Sequence, residues 1–202
     1  MGALTSASLK AALPGLAAHL ESQAAFLNEA DAKLGDGDLG VTLQRGGRGL
    51  IEIAEDLPAD VGMAFMRCAQ AFTKISGSSY GTLLATGLMA AAKACKGQEA
   101  IAWSRVPGLL GDAQAAMMVR GKGALGEKTV LDTLEAARHA VEGLDEPGAQ
   151  LEAALKATEE TLDRLRDQPA RQGRARMFGE KSVGLDDPGM LAFRCLIEGL
   201  KR

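Results

Sequence analysis

Cysteine is scarce in this 202-residue chain, and Cys68, Cys95 and Cys195 are odd in number, far apart and without C-x-x-C spacing. That argues against a disulfide framework or a cysteine-based zinc site and fits a reducing cytoplasm. Histidine is scarcer still, with only His19 and His139. Cationic excess is missing as well: 23 Lys and Arg face 26 Asp and Glu, for a formal net charge of −3. A general nucleic-acid binder is therefore not expected, although Arg164, Arg166, Arg171, Arg174 and Arg176 form a local basic run of the kind that is usually just solvated. The longest apolar run, Leu83 to Ala92, contains Thr86 and Gly87 and stops at Lys93, too short to cross a bilayer, so no membrane partner is expected. No secretory signal is evident at the N-terminus. Ile and Val are sparse beside Ala and Leu and no segment alternates with period two, so no strand is expected.

What is present is enough for a substantial core: 47% of residues are hydrophobic and 24% charged, which suits one soluble domain over residues 1–202. Apolar residues at Val61, Phe65, Cys68, Phe72 and Ile75 recur in steps of four and three behind Asp60 as N-cap. Leu151, Leu155, Thr158, Leu162 and Leu165 repeat that rhythm, as do Val130, Leu134, Ala137 and Val141 behind a Thr129 to Asp132 capping box. Further helices are expected over Thr5 to Asp31, with Pro14 kinking or restarting it, and over Leu39 to Ala54 and Ser79 to Cys95. Two more should span Arg105 to Arg120, with Ser104 as N-cap, and Asp187 to Leu200. Eight helices joined by short Gly-, Pro- and Asp-rich connections predict an all-α fold, an up-and-down bundle or closed ring.

The most informative stretch is Asn28 to Gly40, NEADAKLGDGDLG, which crowds Asp31, Asp36 and Asp38 into eight residues among Gly35, Gly37 and Gly40. Two carboxylates about 4 Å apart repel by roughly 4 kcal/mol at an effective dielectric near 20, so such a cluster points to bridging cations, and hard oxygen ligands favour Mg²⁺ or Ca²⁺. Mg²⁺ fills its remaining positions with water and substrate phosphates, which makes the loop a candidate nucleotide site. Three other readings compete for this stretch. The G-x-G-x-x-G pattern lacks a preceding strand, and an EF-hand from Asp36 would need glycine and glutamate where Val41 and Gly47 stand. A solvated helix end followed by an ordinary Asp/Gly turn remains open.

Three more loops combine glycine with ionisable or hydroxyl residues: Gly77 to Gly81, Gly121 to Thr129, and Gly173 to Gly189. Gly121 to Thr129 nearly spells a P-loop, but Glu127 separates Gly126 from Lys128 and Thr129 and no strand leads in. Its amides at a helix start suit phosphate all the same; the plainer reading is a capped helix start with an exposed lysine. The last loop supplies Arg174, Arg176 and Lys181, cations suited to polyphosphate, with Pro188 placed to open the final helix. The four loops precede helices two, four, six and eight, so in an up-and-down ring they gather at one end.

Taken together, Leu27-x-x-x-Asp31 with GDGDLG, the Gly77 loop, Arg120-Gly121 followed by GEKTVLD, and GRARMFGEKSVG running into Asp187-Pro188-Gly189 resemble the nucleotide-binding L subunit of dihydroxyacetone kinases, the DhaL or DAK2 domain. The likeness covers nearly the whole sequence. It implies a barrel of eight antiparallel helices with ATP or ADP at one end and two Mg²⁺ held by Asp31, Asp36 and Asp38. Nucleotide contacts would then come from Leu39, Gly40, Val41 and Thr42, from Ser79 and Tyr80, from Gly121 and Val130, and from Arg174 with Asp187, Pro188 and Gly189. It further implies a cytoplasmic kinase that works only with a ketose-binding K subunit, transferring the γ-phosphate to dihydroxyacetone or a similar short ketose. A phosphotransferase-system protein is a further possible phosphoryl donor in this family.

The family usually has histidine where this chain has Leu39 and Leu185, and a small residue where it has Tyr80. The paired losses predict that the two leucines pack together beside the nucleotide. They also keep open a non-catalytic alternative, an ADP- and Mg²⁺-binding regulatory module that contacts a transcription factor or another protein. A third reading is the related nucleotide domain of fatty-acid kinases, which is usually part of a longer chain. Phosphoryl transfer asks for positioning and charge neutralisation, so no side-chain nucleophile is required.

Overall fold

The computed structural model describes residues 2–74 and 78–201. Eight α-helices are found among them: α1 Ser6–Leu34, α2 Leu39–Ile53, α3 Val61–Thr73, α4 Ser79–Ala94, α5 Val106–Gly121, α6 Val130–Ala140, α7 Pro147–Arg166 and α8 Pro188–Leu200. Each packs on the next in sequence, and α8 returns against α1, which closes the ring. The expected closed all-α architecture is therefore the observed one. Short connections force successive helices to run antiparallel, and this sends the leads into α2, α4, α6 and α8 to a common end. None of the described helices is long and apolar enough to cross a membrane.

Local chemistry sets the starts. Asp60 accepts from the Met63 amide at 2.8 Å to open α3, and Thr129 with Asp132 forms the expected capping box on α6. Pro188 follows the N-cap Asp187 at the first position of α8, where a missing N–H costs nothing. The apolar stripes turn inward: Val61, Cys68 and Phe72 are buried on α3, Val130, Leu134, Ala137 and Val141 on or just after α6, and Leu162 and Leu165 on α7. Ile75, the last position of the α3 stripe, and Gly77 lie outside the described residues. The main core joins Leu16, Leu20 and Leu27 of α1, Leu39 and Leu43 of α2, Phe72 of α3 and Met190 and Cys195 of α8.

Three expectations need correction. Helix α1 runs unbroken through Pro14 and extends to Leu34, because proline's fixed φ is helical and the loss is confined to one backbone hydrogen bond and local ring packing, which its long flanks tolerate. Ser104 does not cap α5; it lies within a short 3-10 turn, Trp103–Arg105, and Arg105 precedes the helix without a side-chain cap. Two strands do exist, Ala3–Thr5 and Ala100–Ala102, paired antiparallel with Leu4 opposite Ile101. Each is only three residues long and alanine-rich, too short for an alternating pattern to show. Leu4 and Ile101 bury themselves with Val61, Cys95 and Leu109 at the end of the ring away from the acidic loop.

Candidate functional site

Asp31 lies inside the last turns of α1 and reaches forward over the loop that follows. Its Oδ2 accepts from the amides of Gly37 at 2.9 Å and Asp38 at 3.0 Å, with Leu39 more distant at 3.4 Å. One turn earlier Asn28 Oδ1 accepts from Gly40 at 2.8 Å and Val41 at 3.2 Å. The first amides of α2 are thus satisfied from α1, and Asp38, the residue at the N-cap, makes no side-chain capping bond. Its carboxylate is left free. Oxygens of Asp31, Asp36 and Asp38 lie within 4.8 Å of one another, and the Arg174 guanidinium pairs with Asp36. At such separations each carboxylate pair repels by roughly 3–4 kcal/mol before screening, and one arginine offsets only part of that. A hard divalent cation fits this all-oxygen donor set.

Two glycines hold this arrangement. A Cβ at Gly40 would stand 1.9 Å from the Ala24 carbonyl oxygen, so only glycine lets α2 approach α1 closely enough for Asn28 to reach its amides. Gly37 takes a φ of +78°, the left-handed turn that delivers two amides to Asp31.

The acidic loop forms one wall of an open cavity of about 670 Å³. All four loops meet there. Ser78, Ser79 and Tyr80 come from the start of α4, Gly121, Gly123, Thr129 and Val130 from the lead into α6, and Arg174 and Arg176 from the segment before α8. Asp187, Pro188 and Gly189 complete it at the start of α8. Four helix N-termini therefore face one space with their positive dipole ends, which favours an anion there, although the first amides of α2 are already bonded to Asp31 and Asn28. Leu83, Met117 and Leu131 add an apolar wall, so the cavity offers a charged half and a greasy half, the division a nucleotide requires.

Of the residues expected at the site, Asp31, Asp36, Asp38, Leu39, Ser79, Tyr80, Gly121, Val130, Arg174, Asp187, Pro188 and Gly189 line this cavity, whereas Gly40, Val41 and Thr42 do not. Their amides are already committed, the first two to Asn28 and that of Thr42 to the Asp38 carbonyl at 2.9 Å. The two leucines do not share a cluster either. Leu39 belongs to the main core, while Leu185 packs with Leu34, Ala170, Ala175 and Phe178 and does not line the cavity. Sequence reasoning missed Met117, Leu83 and Gln172, which carry no motif and reach the cavity only through packing, and it gave Arg120 no role although Arg120-Gly121 stands in one of the matching motifs. Gln172 Nε2 donates to the carbonyls of Gly121 at 2.9 Å and Lys122 at 3.0 Å, lashing the arginine-bearing segment to the neighbouring loop.

Two ionisable groups in the cavity wall are strongly perturbed. Burial pushes the Asp187 carboxyl up to about 7, against the opposing pull of the Met190 and Gly189 amides and Lys128. Burial also raises the Tyr80 phenol, with Cys195 and Asp187 adding to it, so the hydroxyl stays neutral.

A family model described as the DAK2 domain matches residues 33–202. The chain belongs to that family. Among DAK2-domain proteins it is 28% identical over 188 residues to the PEP-dependent dihydroxyacetone kinase, ADP-binding subunit DhaL, of Escherichia coli, covering 89% of this chain and 88% of that one. It is 30% identical over 181 residues to L-erythrulose 1-kinase of Mycolicibacterium smegmatis, covering 87% of this chain but only 32% of the relative. The fold is that of the dihydroxyacetone kinase of C. freundii solved in complex with AMP-PNP and Mg²⁺. There the TM-score is 0.75 at 23% identity, over 100% of this chain and 34% of that one. The DAK2 domain described here thus spans about a third of the two longer kinases and nearly all of the bacterial subunit.

Proposed function

We propose that this chain is the nucleotide-binding, phosphoryl-transfer subunit of a dihydroxyacetone-type kinase. It would donate the γ-phosphate of Mg-ATP to dihydroxyacetone or a similar short ketose held by a partner K subunit. The observation that carries this reading is the convergence of the Asp31, Asp36 and Asp38 carboxylates, three arginines (Arg120, Arg174 and Arg176) and four helix N-termini on one cavity. Support comes from the ADP-binding name of the E. coli relative and from the AMP-PNP and Mg²⁺ bound to the C. freundii kinase.

Asp31, Asp36 and Asp38 would hold two Mg²⁺, which when bound neutralise the phosphate tail and polarise it for attack. The protein's own part is positioning. The amides that bind Asp31 Oδ2 hold its carboxylate beside those of Asp36 and Asp38. Arg174, paired with Asp36, and Arg176 line the same cavity, where they would take charge from the transferring group. Ser79, Tyr80, Gly121, Val130 and Asp187 to Gly189 would hold the nucleotide, with Leu83, Met117 and Leu131 against the base. The ketose and its orienting groups belong to the partner.

A regulatory reading is favoured by one feature, the Tyr80 ring against the start of α8, where a Cβ at Gly189 would lie 3.5 Å from it. Such a ring narrows the space between α4 and α8. The deciding experiment pairs the chain with a K subunit, ATP and Mg²⁺ and measures ketose phosphate. Turnover supports the kinase. Tight ADP and Mg²⁺ binding with no product under any pairing would favour the regulatory module. Slow nucleotide release with recharging by a phosphotransferase-system protein would distinguish a resident ADP from freely exchanging ATP.

A further inference from the structure

Lys128 is the largest fully buried side chain among the described residues, 1% exposed, in the middle of a loop that reads as phosphate-binding. It is neither an exposed lysine at a capped helix start nor a phosphate ligand. Its residue adopts a left-handed φ of +61°, which turns the side chain away from the cavity and into the protein. There Nζ donates to three backbone carbonyls, those of Arg166 at 2.8 Å, Gln168 at 2.8 Å and Ser182 at 2.9 Å. An ammonium has three donors, and all three are used.

The three acceptors are not scattered. Arg166 and Gln168 stand where α7 ends, and Ser182 stands where the returning segment reaches α8. Between them runs the stretch that carries Gln172, Arg174 and Arg176 into the cavity. The same neck is closed by the Gly184 amide donating to the Arg166 carbonyl at 2.9 Å and by the Ala170 amide donating to Ser182 Oγ at 2.8 Å. Farther out, the Arg171 amide donates to the Glu127 carbonyl at 3.1 Å. Carbonyls at a helix C-terminus carry the negative end of its dipole, so a buried cation there is electrostatically matched. Burial alone would favour the neutral amine, and Asp187, Asp186 and Asp167 nearby oppose that.

We propose that Lys128 is a positioning residue for the nucleotide: by binding both ends of the 166–182 segment with one ammonium, it fixes Arg174 and Arg176 at the cavity wall. It touches no phosphate itself. The inference rests on the nucleotide reading of the cavity, and it accounts for a charged side chain spent where a P-loop lysine would instead face solvent and ligand. Replacing the ammonium by an apolar tip removes one donor from each of the three carbonyls, leaving Arg166 and Ser182 only the Gly184 and Leu185 amides, so the neck should open while the helical ring stays shut.

The test uses the full-length chain with Lys128→Met and Lys128→Ala, read by hydrogen exchange without nucleotide and by ADP titration at saturating Mg²⁺. Expected are amide exchange across residues 168–184 faster by roughly tenfold or more, unchanged protection in α1 and α8, and ADP binding weakened roughly tenfold. Propylammonium added to Lys128→Ala should recover both slow exchange and affinity, whereas 1-propanol should recover neither. That rescue separates a charge-borne positioning role from simple filling of space, and it works on the Ala variant even where Met at this site folds poorly. ADP affinity within twofold of wild type in a folded Lys128→Met, or equal rescue by the alcohol, overturns the proposal. A wild-type chain that binds no ADP defeats the nucleotide reading instead, and the exchange measurement then still decides whether Lys128 holds the arm.

Discussion

Asp187 makes the site's electrostatics measurable without any ligand. Its carboxyl is buried at the mouth of α8, accepts from the Met190 amide at 3.0 Å, and ionises only near 7 instead of its ordinary 3.8. Between those values the folded protein keeps a proton that the unfolded chain has released, so stability falls as pH rises from about 4 to about 7 and then levels off. A shift of about three units corresponds to roughly 4 kcal/mol in total, of which about 2–3 kcal/mol is lost between pH 5 and pH 8. Asp187→Asn keeps an N-cap side chain but removes the titration, since asparagine caps as well as aspartate. Thermal unfolding by circular dichroism, in the absence of Mg²⁺ and nucleotide, should show wild type losing about 5–10 °C more than the variant on going from pH 5 to pH 8. Parallel curves for the two proteins over that range would refute the assignment of a buried, proton-retaining carboxyl at the cavity wall.

Gly40→Ala should destabilise by about 3 kcal/mol or more, because its Cβ would lie 1.9 Å from a backbone oxygen of α1 and relief must part the two helices; urea titration reads the loss, and a change under 1 kcal/mol would contradict the packing. Asn28→Ala leaves the Gly40 and Val41 amides without their acceptor; it should cost about 1–2 kcal/mol and, unlike a remote cap deletion, also weaken Mg²⁺-dependent ADP binding by loosening the acidic loop.

The ring was legible because its helices are long, strongly periodic and marked at their starts by Asp60, Thr129 and Pro188. Loop parity was legible for the same reason: once eight antiparallel helices are granted, the four glycine loops must share an end. What stayed hidden depended on side-chain direction. Nothing in the string shows that Lys128 turns inward, since that hinges on one left-handed backbone angle. The family resemblance implies nucleotide contacts from Gly40, Val41 and Thr42, and nothing in the string shows that their amides are taken by Asn28 and the Asp38 carbonyl. Leu39 and Leu185 invited pairing as two changes of one kind, but α2 sends the first into the main core while the second covers the underside of the arginine segment. The two three-residue strands offered no pattern to read at all.

In the proposed site three aspartates bind divalent metal that in turn holds the nucleotide's phosphates. Isothermal titration of ADP with and without Mg²⁺, on wild type, Asp36→Asn and Asp38→Asn, tests it directly. The prediction is tight binding only when Mg²⁺ is present and a large loss in both variants, including Asp38→Asn, which leaves the Arg174 ion pair untouched. ADP affinity that is the same in all three proteins, or indifferent to Mg²⁺, would contradict it.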